Sequence, residues 1–546
     1  MLVSDTQTGA GANRSEGRQP VTRRTVARTA AWTVPTVAVV AAAPAFAVSD
    51  PEYGVVAVPP TGGAPEMVRC QVLSGMALQF SVTIDGSAAP DGEQVTIDLP
   101  AGLVFSPGGG TTTVATVSGG LVQVPPFQAT GTAGTYAITA TFHGVTAYQS
   151  VNVTPAPGSV VELRRTSAQA GATASFTTHP VTGITTAVAG AIMGDAGATS
   201  ANAAVITDGG VVRYWGEGLA ATLSSPGQLA GANYISVDTW ASLPTSDTAR
   251  GGAAGGPTTR GWFSNTAGTV YTFTVSVPGT VRSVHAEEGY SYALTDNGVY
   301  RWTSATTGAT ATPTLVPSTA GASLMSAWSS RNASDSAVRQ IGGYALVGST
   351  VVWWRATNSG STPGFPSVGT FALPAGLTGS VTELQSGDSG LMVLTSTGQL
   401  WSYGTAFSTT AAWSQRATGV VDFNLWTRNN FHGGLWIDAS GGVTQFFGHQ
   451  TWDAPATVRT GHISSGTPLS GITKVFTSDG TYLVLASDGT VYAWGGNLDN
   501  AGRGPAVATN TGAGSTVDLN VWGHHVDANY TGGGYVIKAT EVCSVP

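Results

Sequence analysis

The sequence predicts an all-β protein in which a small β-sandwich precedes a β-propeller. Residues 52–154 contain short segments in which apolar and polar residues alternate, as they do in half-buried strands. From about residue 165 onward, a strand–turn–strand pattern returns about every 40–55 residues. The composition, with 74 glycines and 10% charged residues, suits many short strands joined by tight turns.

The first 47 residues are expected to be an export signal rather than part of the fold. Arg23 and Arg24 in "TRRTVAR" resemble the pair of a twin-arginine signal, and an Ala/Val-rich stretch follows them. The stretch ends in the small residues "AFA", Ala45–Ala47, which suit a signal peptidase. A membrane anchor is the alternative, but the apolar run is shorter than the roughly 20 residues of a spanning helix and contains Pro35. We therefore expect a mature chain without a membrane span, secreted or loosely held at a bacterial cell surface.

The charge of the chain argues against a nucleic-acid partner. The formal net charge is −8, and lysine occurs only at positions 474 and 538. Nucleic-acid phosphates need clustered Lys and Arg, and no such cluster is present in the sequence.

Cys70 and Cys543 are the only cysteines. In an exported chain they can form a disulfide, which would join the front of the mature chain to its end. Closing so long a loop stabilises a fold by about 6 kcal/mol in the chain-entropy treatment. Two separate buried thiols are the alternative.

The front domain is predicted to span residues 52–154 as two packed sheets that bury alternate Val, Ile and Phe side chains. Its last part, residues 131–155, resembles the closing strands of bacterial immunoglobulin-like surface domains. That resemblance implies an immunoglobulin-like sandwich that serves as a spacer or adhesion unit. The Pro/Gly break "TPAPGS" ends the domain, so residues 155–164 are predicted to be a linker.

The repeated unit is an apolar strand, a tight turn and an alternating strand that ends in an aromatic residue. Its copies are residues 203–216, 260–273 (a weaker copy), 292–302, 344–354, 392–404, 435–448 and 482–495. Turns such as Asp488-Gly489 suit the positive φ values of two-residue hairpins. We interpret the final aromatics as wedges between neighbouring sheets; they are Trp215, Phe273, Trp302, Trp354, Tyr403, Phe447 and Trp494. Repeated β units that cannot bury their own faces are typical of a propeller or a solenoid.

Two copies, "VRSVHAEEGYSYALTDNGVYRW" (281–302) and "VFTSDGTYLVLASDGTVYAWGGNLDNAG" (475–502), resemble the repeat of the regulator of chromosome condensation propeller family. The resemblance covers roughly residues 165–546 and implies a propeller of seven blades, with eight as the alternative. The strand at 533–539 lacks a hairpin partner, so we expect the two ends of the chain to share one blade. The family's eukaryotic prototypes act on a small GTPase and on chromatin. An exported acidic chain without a basic loop meets neither partner.

Candidate binding residues come from the strand that precedes each copy. When these strands are aligned, one position holds Trp240, Glu287, Trp328, Ser386, Trp426, Ser478 and Asn529. We hypothesise an exposed aromatic and polar surface for a protein or glycan partner. It is formed by Trp240, Trp328 and Trp426 with Tyr290, Asp388 and His432. The alternative is that the three Trp side chains cap the core at strand ends.

No catalytic residue, metal site or cofactor is predicted, because the sequence has no zinc-protease motif, no Cys-x-x-Cys pair and no nucleophile elbow. We expect a monomeric, non-enzymatic binding protein. Two rivals stay open. Secreted bacterial propellers of this fold include a β-lactamase inhibitor, which implies an enzyme inhibitor. Polysaccharide lyases and glycosidases also use propellers with scattered acids, which implies a carbohydrate-active enzyme.

Overall fold

The computed structural model describes residues 51–543 of the chain, with gaps. The gaps are residues 61–63, 75–77, 155–156, 166–175, 194–200, 217–218, 220, 242–249, 265–268, 288, 305–309, 333–334, 359–366, 429–430, 454, 461–465, 479, 496–506, 512–514, 527–528 and 540–542. The predicted export signal lies outside the described residues. The described part is built of strands and contains no helix, so no helix there can cross a membrane.

The front domain, called here the sandwich, packs small sheets around one apolar core. Its strands are β1 Tyr53–Val58, β2 Glu66–Val68, β3 Val72–Leu73, β4 Gln79–Ile84, β5 Ser87–Ala88, β6 Gln94–Asp98, β7 Leu103–Phe105, β8 Thr112–Thr116, β9 Leu121–Gln123, β10 Phe127–Ala129, β11 Gly134–Phe142 and β12 Val145–Thr154. The sheets have the orders β1-β4-β5 with β9 beside β4, β3-β10-β7, and β2-β12-β11-β6-β8. Phe80, Phe127 and Phe142 are fully buried, which confirms the predicted inward-facing alternation. The immunoglobulin-like resemblance stays a prediction.

The remaining strands form the propeller. They are β13 Gly158–Arg165, β14 Phe176–Pro180, β15 Ala187–Met193, β16 Asn202–Thr207, β17 Val212–Trp215, β18 Gly227–Gln228, β19 Ser236–Ala241, β20 Arg250–Gly255, β21 Thr259–Ser264, β22 Val270–Val275, β23 Val281–Ala286, β24 Tyr290–Thr295, β25 Gly298–Thr303, β26 Thr310–Ala311, β27 Thr314–Leu315, β28 Leu324–Asn332, β29 Asp335–Val347, β30 Thr350–Asn358, β31 Ser367–Ala372, β32 Val381–Gly387, β33 Gly390–Thr395, β34 Leu400–Gly404, β35 Ser414–Ala417, β36 Val420–Arg428, β37 Phe431–Asp438, β38 Val443–His449, β39 Ala456–Thr457, β40 Arg459–Thr460, β41 Thr467–Pro468, β42 Ile472–Ser478, β43 Thr481–Ala486, β44 Val491–Gly495, β45 Val507–Asn510, β46 Thr516–Val526 and β47 Asn529–Ala539.

In the described residues these strands form eight blades with four strands each, and β26 extends the sheet of blade 2 while β40 and β41 extend that of blade 7. Blades 1 to 7 begin with β15, β19, β23, β28, β32, β36 and β42, and blade 8 has the order β46-β47-β13-β14. The first strand of each blade is the innermost one, and these strands lie side by side around a ring that returns from β46 to β15. The propeller class is therefore confirmed.

The expected count of seven blades is wrong, and the alternative of eight is observed. Strand β13 pairs antiparallel with β47, from Gly158 opposite Ala539 to Arg164 opposite Gly533. Blade 8 therefore combines β46 and β47 from the end of the chain with β13 and β14 from the front of the propeller, which confirms the expectation that the two ends share one blade. The prediction that residues 155–164 are a linker is wrong for the same reason, because β13 begins at Gly158.

The weak copy at 260–273 lies one strand farther along its blade than the other copies do. It covers β21 and β22, the third and fourth strands of blade 2, whereas the second strand is the glycine-rich β20. Trp262, not Phe273, therefore occupies the wedge position, and its ring stacks on Tyr214 of blade 1 at 5.6 Å. The wedge interpretation is also wrong for Phe447, whose ring contacts Trp426, Phe431 and His432 of its own blade. Phe446 takes that place and shares an apolar cluster with Met392 and Leu400 of blade 5. The other predicted aromatics pack between blades; Trp354, for example, is buried and lies 5.7 Å from Tyr292 of the preceding blade.

Blades 2, 4 and 6 share a contact in which a Trp on the innermost strand lies against a glycine of the second strand. A Cβ on Gly251, Gly342 or Gly433 would lie 2.5, 2.5 or 2.6 Å from the indole of Trp240, Trp328 or Trp426, respectively. In blade 8 the strand register sets Trp522 opposite Gly533. Blades 2, 4 and 6 thus repeat one packing device, in every second blade.

We predict that Gly433→Ala destabilises the propeller by about 1–3 kcal/mol, because the new methyl group would overlap the indole of Trp426. Gly209→Ala is the matched control, since a Cβ there meets nothing within 4 Å. Urea unfolding followed by tryptophan fluorescence measures both variants. Equal unfolding midpoints for the two variants would show that the Trp–Gly contact is not close packed.

The predicted disulfide is confirmed: Cys70 of the sandwich is bonded to Cys543 near the chain end, across a sequence separation of 473 residues. We predict that Cys543→Ser lowers the melting temperature by several degrees, because the unfolded chain loses a long closed loop, worth up to about 6 kcal/mol by loop entropy. Calorimetry with and without reductant is the measurement. Reductant should lower the melting temperature of the parent chain and leave that of the variant unchanged; no effect on the parent chain would contradict the prediction.

Candidate binding site

The sandwich docks on the end of the propeller at which the innermost strands begin. The Thr132 and Thr473 hydroxyls lie 3.0 Å apart in a buried contact, and the Ala133 N–H donates to the Val517 carbonyl at 2.6 Å. Farther along, the Tyr148 hydroxyl donates to the Thr397 carbonyl at 3.0 Å. These bonds hold the sandwich over blades 5 to 8.

A cavity of about 390 Å³ lies between the sandwich and the propeller. The sandwich contributes Tyr148, Gln149 and Asn152 to its wall, and the innermost strands of blades 5, 6 and 7 contribute Glu383, Asp422 and Lys474. This volume is within the range of small-molecule sites, which are concave and carry a few placed polar groups. We call this space the interdomain cavity.

A repeated backbone irregularity places the ionisable residues at this position. The strand register shifts immediately before Glu383, Asp422, Lys474 and Asp518, which lie at equivalent places on β32, β36, β42 and β46. Such a β-bulge re-aims the side chains that follow it, and bulges are common beside functional sites. Four consecutive blades therefore present an ionisable side chain at one level of the ring.

The two carboxyl groups of the interdomain cavity resist ionisation. Burial raises the pKa of Glu383 well above its ordinary value, and the nearby Asp422 charge raises it further. Burial also raises the pKa of Asp422 to about 7, although Lys474 lowers it. Lys474 itself forms an ion pair with Asp518. The two carboxyls therefore lose their protons less readily than carboxyls in water do, and a nearby positive charge would favour their ionised forms.

Amide and phenol groups complete the polar wall. Gln149 is 4% exposed; its Nε2 donates to the Val58 carbonyl at 2.6 Å, and its Oε1 has no hydrogen-bond partner among the described residues. Burial raises the pKa of Tyr148 to about 12, so this phenol stays neutral. Gln385 donates to Glu383 Oε1 at 2.6 Å and to the Phe423 carbonyl at 2.9 Å, which fixes its amide. The wall is thus rich in acceptors and suits a polar ligand.

The three Trp residues predicted to be exposed are buried. Trp240, Trp328 and Trp426 are 4%, 6% and 9% exposed and lie against the glycines of the second strands. The expectation that these side chains are available as anchors is therefore wrong, and the alternative that they cap the core is observed. Large indoles opposite glycines fill the space left by the missing side chains.

The other three predicted residues also fail to form one open surface. His432 is fully buried, with Nδ1 2.8 Å from the Ala406 carbonyl oxygen, and burial lowers its pKa to about 4. Tyr290 and Asp388 are only partly buried, and Asp388 accepts a hydrogen bond from Thr427 at 3.2 Å. All six predicted residues lie near the turns between first and second strands, at the opposite end of the innermost strands from the interdomain cavity.

A repeated charged residue in the sequence marks part of the cavity, although the predicted site was built on aromatic residues instead. In the aligned strands "TELQSGD" and "TKVFTSDG", Glu383 and Lys474 occupy the same place near the strand start. A charge repeated there, in a chain with 10% charged residues, marks the level of the ring that faces the cavity. Tyr148 and Gln149 carry no such signal, because their role depends on how the sandwich docks.

Comparisons with known proteins define no family for this chain. No protein-family model and no curated protein matches the chain. Human WBSCR16 is similar at 13% identity and a TM-score of 0.36, over 70% of this chain and 99% of that one. Yeast RCC1 (Prp20), solved with Kap60, is similar at 12% identity and a TM-score of 0.36, over 71% and 91%. Apo AztD from Citrobacter koseri is similar at 10% identity and a TM-score of 0.37, over 69% and 98%. Because these scores are below 0.5, the propeller assignment rests on the strand pairings of this chain.

We predict that Asp422→Asn gains stability relative to the parent chain as the pH rises. Burial raises the pKa of Asp422 from 3.8 to about 7 in the folded chain. Between these two pH values the unfolded chain loses this proton while the folded chain keeps it, so the free energy of unfolding falls as the pH rises. The melting temperature of the variant minus that of the parent chain should therefore be larger at pH 8 than at pH 4, by about 2 °C or more.

Comparing the two pH values removes the constant effect of changing the hydrogen bonds of Asp422. Asp208→Asn, at an exposed turn, is the control and should show the same difference at both pH values. A difference for Asp422→Asn that does not change with pH would contradict the raised pKa.

Proposed function

We propose that this chain is an exported, non-enzymatic binding protein that takes part of a glycan into the interdomain cavity. The observation that carries the proposal is the cavity itself, about 390 Å³ in volume and walled by side chains from both domains. Its wall holds amides, hydroxyls and carboxyls, the groups that hydrogen-bond sugar hydroxyls. The disulfide supports export, because such bonds persist in oxidising compartments.

A glycan suits this cavity better than a protein surface does. Protein interfaces of ordinary size bury about 800 Å² on each partner, and their energetic centres are aromatic or Arg anchors. The three Trp candidates for such anchors are buried in the blades. The interdomain cavity is instead a small concave site with Tyr148 and Phe476 beside polar groups, an arrangement that suits a sugar ring.

The carboxyl pair favours a second candidate, a carbohydrate-active enzyme. Glycosidases use two carboxyl groups whose environments assign one to donate a proton and the other to act as base or nucleophile. Burial raises the pKa of both Glu383 and Asp422, and the charge of Asp422 raises that of Glu383 further, so the pair can hold one proton beside one charge. Release of reducing ends from a polysaccharide, abolished by Glu383→Gln, would favour the enzyme over the binding protein.

The binding proposal predicts that at least one member of a panel of bacterial cell-wall and secreted oligosaccharides binds the full chain, measured by calorimetry. Ser380→Trp should weaken that binding about tenfold or more, because Ser380 is exposed at the cavity wall and a large side chain there would obstruct it. Ser87→Trp, on the exposed turn strand β5 of the sandwich, is the control and should bind as the parent chain does. No binding across the panel, or equal binding by both variants and the parent chain, would reject the cavity as the glycan site.

A further inference from the structure

The carboxyl groups of the interdomain cavity share one cation, Lys474, among the described residues that line it. Lys474 is the cationic side chain of the wall, but it is ion-paired with Asp518 and lies 4.9 Å from the Phe476 ring centre. Among the described residues, Glu383 accepts a hydrogen bond from the neutral amide of Gln385. When both acids are ionised, the cavity therefore has a surplus of negative charge.

The cavity also has a surplus of acceptors over donors. Gln149 lines it and is more than nine-tenths buried. Its Nε2 donates to the Val58 carbonyl, and its Oε1 has no hydrogen-bond partner in the part of the chain that the structure describes. A buried acceptor without a donor costs free energy, so a ligand that brings donors is favoured. This observation is independent of the two carboxyl groups, and it points to the same kind of ligand.

A primary ammonium group supplies what the wall lacks. It carries three N–H donors and one positive charge, and it accepts nothing. Hydrogen bonds between charged partners are about twice as strong as those between neutral ones. A neutral sugar hydroxyl brings one donor and no charge, so it leaves the carboxyl groups to hold protons instead.

We infer that the interdomain cavity selects an amino sugar, a glycan whose free ammonium group lies against Glu383 and Asp422. This inference rests on the proposed glycan-binding function and adds the charge of the recognised sugar to it. The other titratable groups that face the ligand are Lys474, with Asp518 as its partner, and the neutral phenol of Tyr148. Lys474 therefore stays neutralised while the ligand ammonium neutralises the acid pair.

The test compares two probes of equal length by calorimetry on the full chain: the glucosamine tetramer and its fully N-acetylated counterpart. Acetylation removes the charge of each amine and leaves the sugar backbone the same. We expect the glucosamine tetramer to bind about tenfold or more tightly than the acetylated one at pH 6.5, because only the free amine forms charged hydrogen bonds.

Glu383→Gln and Asp422→Asn preserve side-chain size and should each reduce this preference to about threefold or less. Glu52→Gln and Asp208→Asn, both exposed and away from the cavity wall, should keep it. Melting curves establish that each variant is folded before binding is measured.

The outcomes separate the two proposals. Equal binding of both probes, or tighter binding of the acetylated probe, overturns the amino-sugar inference and leaves glycan binding in place. Binding of neither probe overturns the inference, while binding of another panel oligosaccharide keeps the proposed function. If Glu52→Gln or Asp208→Asn also loses the preference, the glucosamine tetramer is attracted by the net charge of the protein. That outcome would also overturn the amino-sugar inference.

Discussion

The pairing of β13 with β47 is the constraint on which the rest of the structure depends. A blade cannot bury its own faces, so a row of eight blades is stable only if the last one packs against the first. The antiparallel pairing joins the two ends of the propeller in one blade. Because the sandwich ends at Thr154 and β13 begins at Gly158, closure also fixes the sandwich against the propeller. The disulfide from Cys70 to Cys543 ties the same two ends covalently.

Side chains of the innermost strands connect the blades around the ring. Asn424 Oδ1 accepts a hydrogen bond from the Thr477 N–H at 2.8 Å, and Gln385 Oε1 accepts one from the Leu425 N–H at 2.9 Å. Asp238 Oδ2 accepts one from the Ala286 N–H at 2.9 Å. Each bond joins one blade to the next, so the innermost strands form a rigid support. The proposed binding residues lie on these strands, and sites built on rigid elements hold their geometry better than sites on loops.

The sequence predicts those parts of the structure that depend on residues close together in the chain. Asp-Gly turns, alternating strands and repeated aromatics define the propeller, and two cysteines in an exported chain define the disulfide. The number of blades is not local, since the outer strands of blade 8 come from residues hundreds of positions away. The burial of the Trp residues is not local either. Trp426 is buried because Gly433, on the neighbouring strand, leaves space for its indole, and the sequence around Trp426 does not show that pairing. Glu383 and Lys474 stand out in the sequence as a repeated charge, whereas Gln149 lines the cavity only because of how the sandwich docks.

Hydrogen–deuterium exchange of the strands in blade 8 tests the closure most directly. Amides of β13 and β47 that bond to each other should exchange together and as slowly as those of β43, a fully buried strand of blade 7. Such matched protection would establish that the front of the propeller and the end of the chain form one cooperative unit. Rapid exchange in β13 alongside slow exchange in β47 would contradict the closed ring, and with it the fixed placement of the sandwich that creates the cavity.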